Sequence, residues 1–361
     1  ADGGGEEDGD GTTSGSGGGG EAEEAAAATE AAGTGMGARA GEGARAAGGG
    51  TPELLHHLED IAMWTKLRPY VHDFLAGAAE RFELYVYTMG TRAYAARMVS
   101  LLDPSGTLGL NGKDRVIGRE DSTAGSTKAL DVVLGSDRTT LILDDSPAVW
   151  PDDGARLLVP ARYLFFPPPQ PRESRGPSGG GGGPRYRGHL LCGTDEEADG
   201  GQLHGLLRAL RSVHDHYFAE QLPCVPTIRS ADDCPSVGAS VAHVRSRVLA
   251  GVRLLFTHVI PLGAPPHTHA AWRLATQLGA TVSDDVGAAL THVVAGADRT
   301  SKVKWAREHG VPAVSIEWLY ACGHLWQRAD ESKFPIGGRP TDTAALEIDQ
   351  MKTLPPPEMR P

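Results

Sequence analysis

The chain reads as α/β, with a doubly wound parallel sheet in its first folded part and a second, smaller α/β domain behind it. Three observations predict this. First, Thr139 to Trp150 reads TTLILDDSPAVW, in which the apolar run Leu141, Ile142, Leu143 stops abruptly at Asp144-Asp145-Ser146-Pro147. An apolar run of this length, bounded by turn formers, is the signature of a fully buried strand in a parallel sheet. Second, strands and helices alternate from Phe82 to Val159, a pattern that builds a parallel sheet with right-handed crossovers. Third, another alternation runs from Arg245 to Ile336, beyond a Pro/Gly-rich stretch.

In open α/β sheets the ligand lies outside the carboxyl ends of the strands, so Asp144 and Asp145 are expected to face a crevice. Adjacent carboxylates repel, and a hard cation such as Mg²⁺ on oxygen ligands would relieve that repulsion. The same Asp-Asp-Ser-Pro string also makes an ordinary polar turn that caps whatever follows. The four residues alone leave both readings open.

Taken in order, residues 1–50 are Gly, Ala and acids, with Met36 the one large apolar side chain. Such a segment buries too little surface to offset the entropy of ordering and is expected to be disordered. Leu54, Leu55, Leu58 and Ile61 then recur at helical spacing, and a second helix is expected with Val71, Phe74, Leu75 and Ala78 on one face. Phe82 to Tyr87 alternates and is rich in aromatic and branched residues, a strand ending at Thr88. A helix follows from Arg92 to Leu102, with Thr88 or Thr91 as its capping hydroxyl. Val116-Ile117 reads as a short strand, and Lys128 opens a helix running to Leu134. The string Gly125-Ser126-Thr127-Lys128 is not a phosphate loop, because its order is reversed and its spacing fails.

The formal net charge is −12 over 361 residues. Residues 1–50 hold ten acids against Arg39 and Arg45, so the rest is only mildly acidic and offers no basic face for a nucleic-acid backbone. Cys192, Cys224, Cys234 and Cys322 lack metal-ligand spacing and are too few for a stapled scaffold. No apolar run approaches a membrane span. A soluble, intracellular protein is expected.

Several segments together carry a resemblance: KLRPYVHDFL (66–75), FELYVYTMGTRAYA (82–95), LLDPSG (101–106), RVIGRED (115–121), STKALDVVL (126–134) and LILDDSPAVW (141–150). In this order and spacing they resemble the RNA polymerase II C-terminal-domain phosphatases of the TFIIF-stimulated type, a branch of the haloacid-dehalogenase superfamily. The resemblance implies that Thr88 binds the phosphoryl group and that Lys128 neutralises the phosphate and the attacking carboxylate. It implies that Asp145, with Asp144 beside it, holds Mg²⁺, and that Arg119 assists phosphate binding. The implied mechanism is covalent: one Asp attacks the phosphoserine phosphorus, a second protonates the leaving serine, and the aspartyl-phosphate is then hydrolysed.

Those two acids belong to an Asp-x-Asp-x-(Thr/Val) motif ending the first strand, some tens of residues before Leu54. The string Asp8-Gly9-Asp10-Gly11-Thr12 is not taken as that motif, since no apolar strand precedes it. The expectation is therefore a haloacid-dehalogenase-like sheet with its first, central strand missing. A truncated gene model is the preferred explanation, with a true pseudo-enzyme second.

The domains expected are a disordered segment (1–50), the phosphatase domain (51–166), a Pro/Gly linker (167–198), a helical connector (199–244), a second domain (245–336) and a disordered tail (337–361). In the connector Leu203, Leu206, Leu207, Leu210, Val213 and Tyr217 keep helical spacing, while His214 and His216 lack the partners of a metal site. LGATV, LTHVVA and VSIEWLYAC, with Trp318, resemble a BRCT domain. BRCT domains often bind phosphopeptides through a Ser/Thr after the first strand and a Lys opening the second helix, positions held here by Thr257 and Lys302. His258 stands where a glycine usually follows. The resemblance implies the phosphorylated C-terminal repeat of RNA polymerase II as substrate, transcription factor IIF as a partner, and a nuclear location. No direct nucleic-acid contact or membrane is implied. The alternative is a catalytically inactive phosphopeptide-binding BRCT protein.

Overall fold

The computed structural model describes residues 54–166, 195–196 and 200–337, apart from 113, 124, 134, 226, 231, 232, 262 and 264. The expected disordered segment, nearly all of the linker and nearly all of the tail lie outside the described residues.

The chain opens with an antiparallel hairpin, β1 (Leu55–Leu58) and β2 (Met63–Lys66), where helical spacing had predicted a helix. The pairing that overrides the local pattern is cross-strand. His57 lies opposite Trp64 with ring centres 4.6 Å apart, and Ala62 closes the turn with φ +49°. Helix α1 (Val71–Ala79) then buries Phe74 and Ala78, as expected.

Strand β3 (Val86–Tyr87) is much shorter than the alternation from Phe82 suggests, because its parallel partner β4 (Val116–Ile117) offers only two residues. Phe82 and Leu84 leave the ladder and pack into the core beneath α1. Between these strands runs α2 (Arg92–Leu102), capped by Thr91, whose hydroxyl accepts from the Tyr94 amide. The helix expected after Lys128 is only a 3₁₀ turn, Leu130–Val132. Ala129 is extended, so no helix can run through it from Lys128, whose amide donates to the Val149 carbonyl at 2.7 Å.

A second parallel pair, β5 (Ile142–Leu143) and β6 (Leu157–Leu158), completes the first domain. Among the described residues β3–β4 and β5–β6 are not hydrogen-bonded to each other. One edge of β5 is therefore unpaired: Ile142 is buried, but Leu143 is 39% exposed rather than fully buried as its apolar run predicts.

Helix α3 (Gln202–His216) buries the predicted stripe of Leu203, Leu206, Leu207, Leu210 and Val213 against α1 and against α4 (Val237–Ser246), a helix the pattern did not reveal. The second domain is a four-stranded parallel sheet of order β10 (Ala313–Val314), β9 (His292–Ala295), β7 (Arg253–Thr257), β8 (Thr281–Ser283). Helices α5 (Ala270–Gln277) and α7 (Ile316–Leu325) share one core cluster with this sheet, and α6 (Ser301–Glu308) packs into the other. Trp318 is fully buried in the core, its indole N–H donating to the Ala329 carbonyl at 3.0 Å.

The two domains are joined side chain to backbone. Gln202, at the start of α3, accepts from the Ala161 amide and donates to the His324 carbonyl of α7. Arg245 of α4 donates to the Leu157 carbonyl of β6 while its guanidinium lies 4.9 Å from the Trp326 ring centre. Gly205 permits the closest approach, since a Cβ there would stand 2.7 Å from the Leu325 carbonyl oxygen. Gly205→Ala is therefore expected to lower stability by about 2 kcal/mol, read as a shift of the urea midpoint.

His324 lies buried in this junction, and burial pushes its imidazole down to about 4 from 6.5. The unfolded chain then binds the extra proton between those two values, so stability falls as pH drops from about 6.5 toward 4 and is level above. His324→Gln should lose its share of that slope in urea midpoints measured across this range.

Candidate active site

The site is built where β3 and β5 end. Lys128 donates to the Asp144 carboxylate at 2.6 Å and to the carbonyl of Tyr87, the last residue of β3, at 3.2 Å. Asp144 is the first residue after β5, so one ammonium holds the carboxyl ends of both parallel pairs together. The side chains of Lys128 and Asp144 are only 11% and 13% exposed. Tyr87 and Trp150 wall the ammonium, with ring centres 5.4 and 5.6 Å from Nζ, and the two rings meet edge to face. Trp150 also donates its indole N–H to Asp144 Oδ2 at 2.9 Å, and the Ser146 amide donates to Oδ1 at 2.9 Å.

Around this pair the other predicted residues take distinct places. Thr88 follows Tyr87 directly, and its hydroxyl accepts from the Gly90 amide at 3.0 Å. Arg119, just after β4, donates through Nε to the Met89 carbonyl at 2.8 Å. Asp145 is 37% exposed and is held from two sides: Ser146 Oγ donates to Oδ1 at 2.8 Å and Arg162 Nε to Oδ2 at 3.2 Å. Arg162 Nη2 also reaches Ser146 Oγ at 3.0 Å.

At the second domain Thr257 ends β7 and is nearly buried, its hydroxyl 3.2 Å from His258 Nδ1. Lys302, the second residue of α6, donates to the Asp284 carbonyl just beyond β8 at 3.0 Å. Strand β7 lies between β9, which leads into α6, and β8. The lysine therefore reaches across the carboxyl end of the strand that carries Thr257. His258 has φ +55°, the left-handed conformation that glycine adopts freely. The histidine thus follows a backbone path that costs glycine nothing. Gly296, opposite, is required here, because a Cβ would stand 2.1 Å from the His258 carbonyl oxygen.

Residues 52–170 match the model of the NLI interacting factor-like phosphatases, and residues 268–322 match the BRCT (BRCA1 C Terminus) domain. The chain is 36% identical over 279 residues to RNA polymerase II C-terminal domain phosphatase-like 4 of Arabidopsis thaliana, covering 77% of this chain and 59% of that protein. It is 27% identical over 286 residues to an RNA polymerase II C-terminal domain phosphatase of Caenorhabditis elegans, covering 78% of this chain and 41% of that protein. The solved structure of Fcp1, an essential RNA polymerase II CTD phosphatase, superposes with a TM-score of 0.52 at 26% identity, over 76% of this chain and 81% of that one. The chain is a homologue of the RNA polymerase II CTD phosphatases. It carries their NLI interacting factor-like, haloacid-dehalogenase-like domain followed by a BRCT domain, and it spans less than two thirds of the length of these two curated relatives.

Three residues of the phosphatase domain's site had no assigned role in the sequence. Trp150 was visible as the end of the Asp-Asp-x-x-x-x-Trp string, but not as a donor to Asp144. Ser146 read as part of a turn, and Arg162, beyond β6, stood in no motif. Oxygen donors suit Mg²⁺, which keeps several waters and takes one or two carboxylates. Asp144 has three donors on its two oxygens, whereas Asp145 is accessible and is the better fit for a direct ligand. Among the described residues no group of three His, Cys, Asp or Glu side chains is placed to hold a metal ion.

Lys128→Met leaves a largely buried carboxylate without its cation and should cost about 3 kcal/mol. The double change Lys128→Met with Asp144→Asn should recover a good part of that loss. Urea unfolding of the two variants against wild type is the check.

Proposed function

We propose that the phosphatase domain is the core of a Mg²⁺-dependent protein-serine/threonine phosphatase acting on the phosphorylated C-terminal repeat of RNA polymerase II in the nucleus. Transcription factor IIF is the partner this reading brings with it. The observation that carries the reading is the Lys128 ammonium shared by the Tyr87 carbonyl and the Asp144 carboxylate. It fixes a positive charge where the carboxyl ends of two parallel pairs meet, the place where an anionic ligand of an α/β sheet is bound.

In this reading Thr88 and the backbone of the Thr88–Gly90 turn take the phosphoryl oxygens, and Lys128 offsets the charge that grows on them. Arg119 stands at the rim, held by its Nε so that the rest of its fork faces outward. Asp145 would hold Mg²⁺, which supplies charge neutralisation of the phosphoryl oxygens. Asp144 serves chiefly to aim Lys128, and Trp150 keeps Asp144 from turning. The attacking and protonating acids belong to the Asp-x-Asp-x-(Thr/Val) strand, which is not found between Leu54 and Pro361. Strands β3 and β5 each have one edge without a strand partner among the described residues, and in this reading that strand takes its place beside them. Transfer through an aspartyl-phosphate needs that strand.

The alternative reading is a phosphopeptide-binding protein that acts through its BRCT domain. It is favoured by the reach of Lys302 across the end of β7 and by the left-handed His258.

The test compares the chain as it stands with the same chain preceded by a Leu-Val-Leu-Asp-Leu-Asp-x-Thr strand, each given a phosphoserine peptide and Mg²⁺. Phosphate release that EDTA abolishes is expected only with the strand present, and Lys128→Ala should reduce it at least about a hundredfold. Binding without turnover in both forms, lost on Lys302→Ala, supports the BRCT reading instead.

A further inference from the structure

An arginine follows each of the strands β4 and β6, and each is held through its Nε. On one side Arg119 follows β4 and is tied by Nε to the Met89 carbonyl. On the other Arg162, four residues after β6, is tied by Nε to Asp145 and by Nη2 to Ser146. Because Lys128 joins the ends of β3 and β5, and β4 and β6 run parallel to them, all four strands end at one rim. Lys128 thus sits at the middle of that rim with one arginine toward each end.

Arg162 is not fully used by its partners. A guanidinium offers five N–H donors in a planar fork, and two of them are taken here by Asp145 and Ser146. The edge carrying Nη1 is left over, and the side chain is 42% exposed. Its partners hold the fork in one orientation, so little further side-chain entropy is lost when it meets an anion. A planar fork with paired N–H groups is the geometry that recognises phosphate or carboxylate through two parallel hydrogen bonds.

We propose that Arg162 is a specificity-determining residue that binds a second anionic group of the peptide substrate, a phosphoserine neighbouring the one at Lys128. This deepens the phosphatase reading and rests on it. From the gap between β3 and β5 to β6 is two strand spacings, about 9.6 Å at about 4.8 Å each, and an extended peptide advances about 3.4 Å per residue, which sets the second phosphoserine about three residues from the first. The substrate class is then a doubly phosphorylated serine-rich peptide rather than a singly phosphorylated one.

The test is fluorescence anisotropy of the full chain with two synthetic peptides of the same sequence. One carries a single phosphoserine and the other carries a second, three residues away. Each measurement is repeated in the Lys302→Ala background, so that the BRCT domain does not contribute. The doubly phosphorylated peptide should bind about tenfold more tightly to the protein with Arg162 intact, the scale of one charge-assisted pair. Arg162→Ala should bring the ratio of the two affinities to about one, a readout that loss of support to Asp145 and Ser146 alone would not move, while Arg162→Lys, which keeps the charge but not the fork, should retain part of the gain. Equal loss for both peptides in Arg162→Ala would show that the arginine only supports Asp145 and Ser146, and an unchanged preference would remove its role altogether. Either result overturns this inference and leaves the phosphatase reading standing. Failure of the Arg162-intact protein to bind either peptide, or binding indifferent to Lys128→Ala, overturns both.

Discussion

The contact on which the phosphatase domain depends is the ion pair between Lys128 and Asp144. Among the described residues the two short parallel pairs share no ladder hydrogen bond and have little reason to stay in register, since each contributes only two residues to its ladder. The ammonium ties them by binding the last carbonyl of β3 and the first carboxylate after β5. Burying such a pair takes two charges out of water, and the cost is recovered only when every remaining polar atom is met. Here Trp150 and the Ser146 amide meet the carboxylate and two aromatic faces flank the ammonium. The interaction specifies an arrangement more than it adds stability.

The same logic accounts for the neighbouring acid. Asp144 and Asp145 are adjacent in sequence but live in different surroundings, one sealed by three donors and the other open to the rim and steered by Ser146 and Arg162. Two like charges side by side are made compatible by giving each its own cation. One carboxylate becomes an internal strut, and the other stays accessible.

The BRCT domain is held to the phosphatase domain by short-range contacts. Gln202 satisfies backbone groups of both domains from one amide, Gly205 lets α3 touch the end of α7, and Arg245 spans from β6 to Trp326. Buried polar groups of this kind constrain geometry tightly, because each loses a water and must find its replacement at a set position. The connector is therefore part of the core: its apolar stripe on α3 packs with Phe74, Ala78 and Leu158 of the first domain.

Much of this was present in the sequence. The α3 stripe from Leu203 to Tyr217, the helices at Val71 and Arg92, and the strand and helix order of the BRCT domain are local periodicities, and they survive folding because one face of each element is buried. Family resemblance singled out Thr88, Arg119, Lys128 and Asp144-Asp145, of which Lys128 and Asp144 meet directly at the end of β3. Other features depend on residues far apart in the chain and have no local signal. The β1–β2 hairpin arises from pairing across a turn, and the short 3₁₀ turn after Lys128 follows an extended Ala129 where the Lys128 amide meets the distant Val149 carbonyl. The exposure of Leu143 reflects which neighbours β5 has, and the contact of Arg162 with Asp145 comes from the way β6 returns beside β5. The sequence by itself determined which residues could do the chemistry and which faces are apolar. Only the tertiary structure decided which carboxylate is sealed and which is open, because that is set by donors brought in from distant strands.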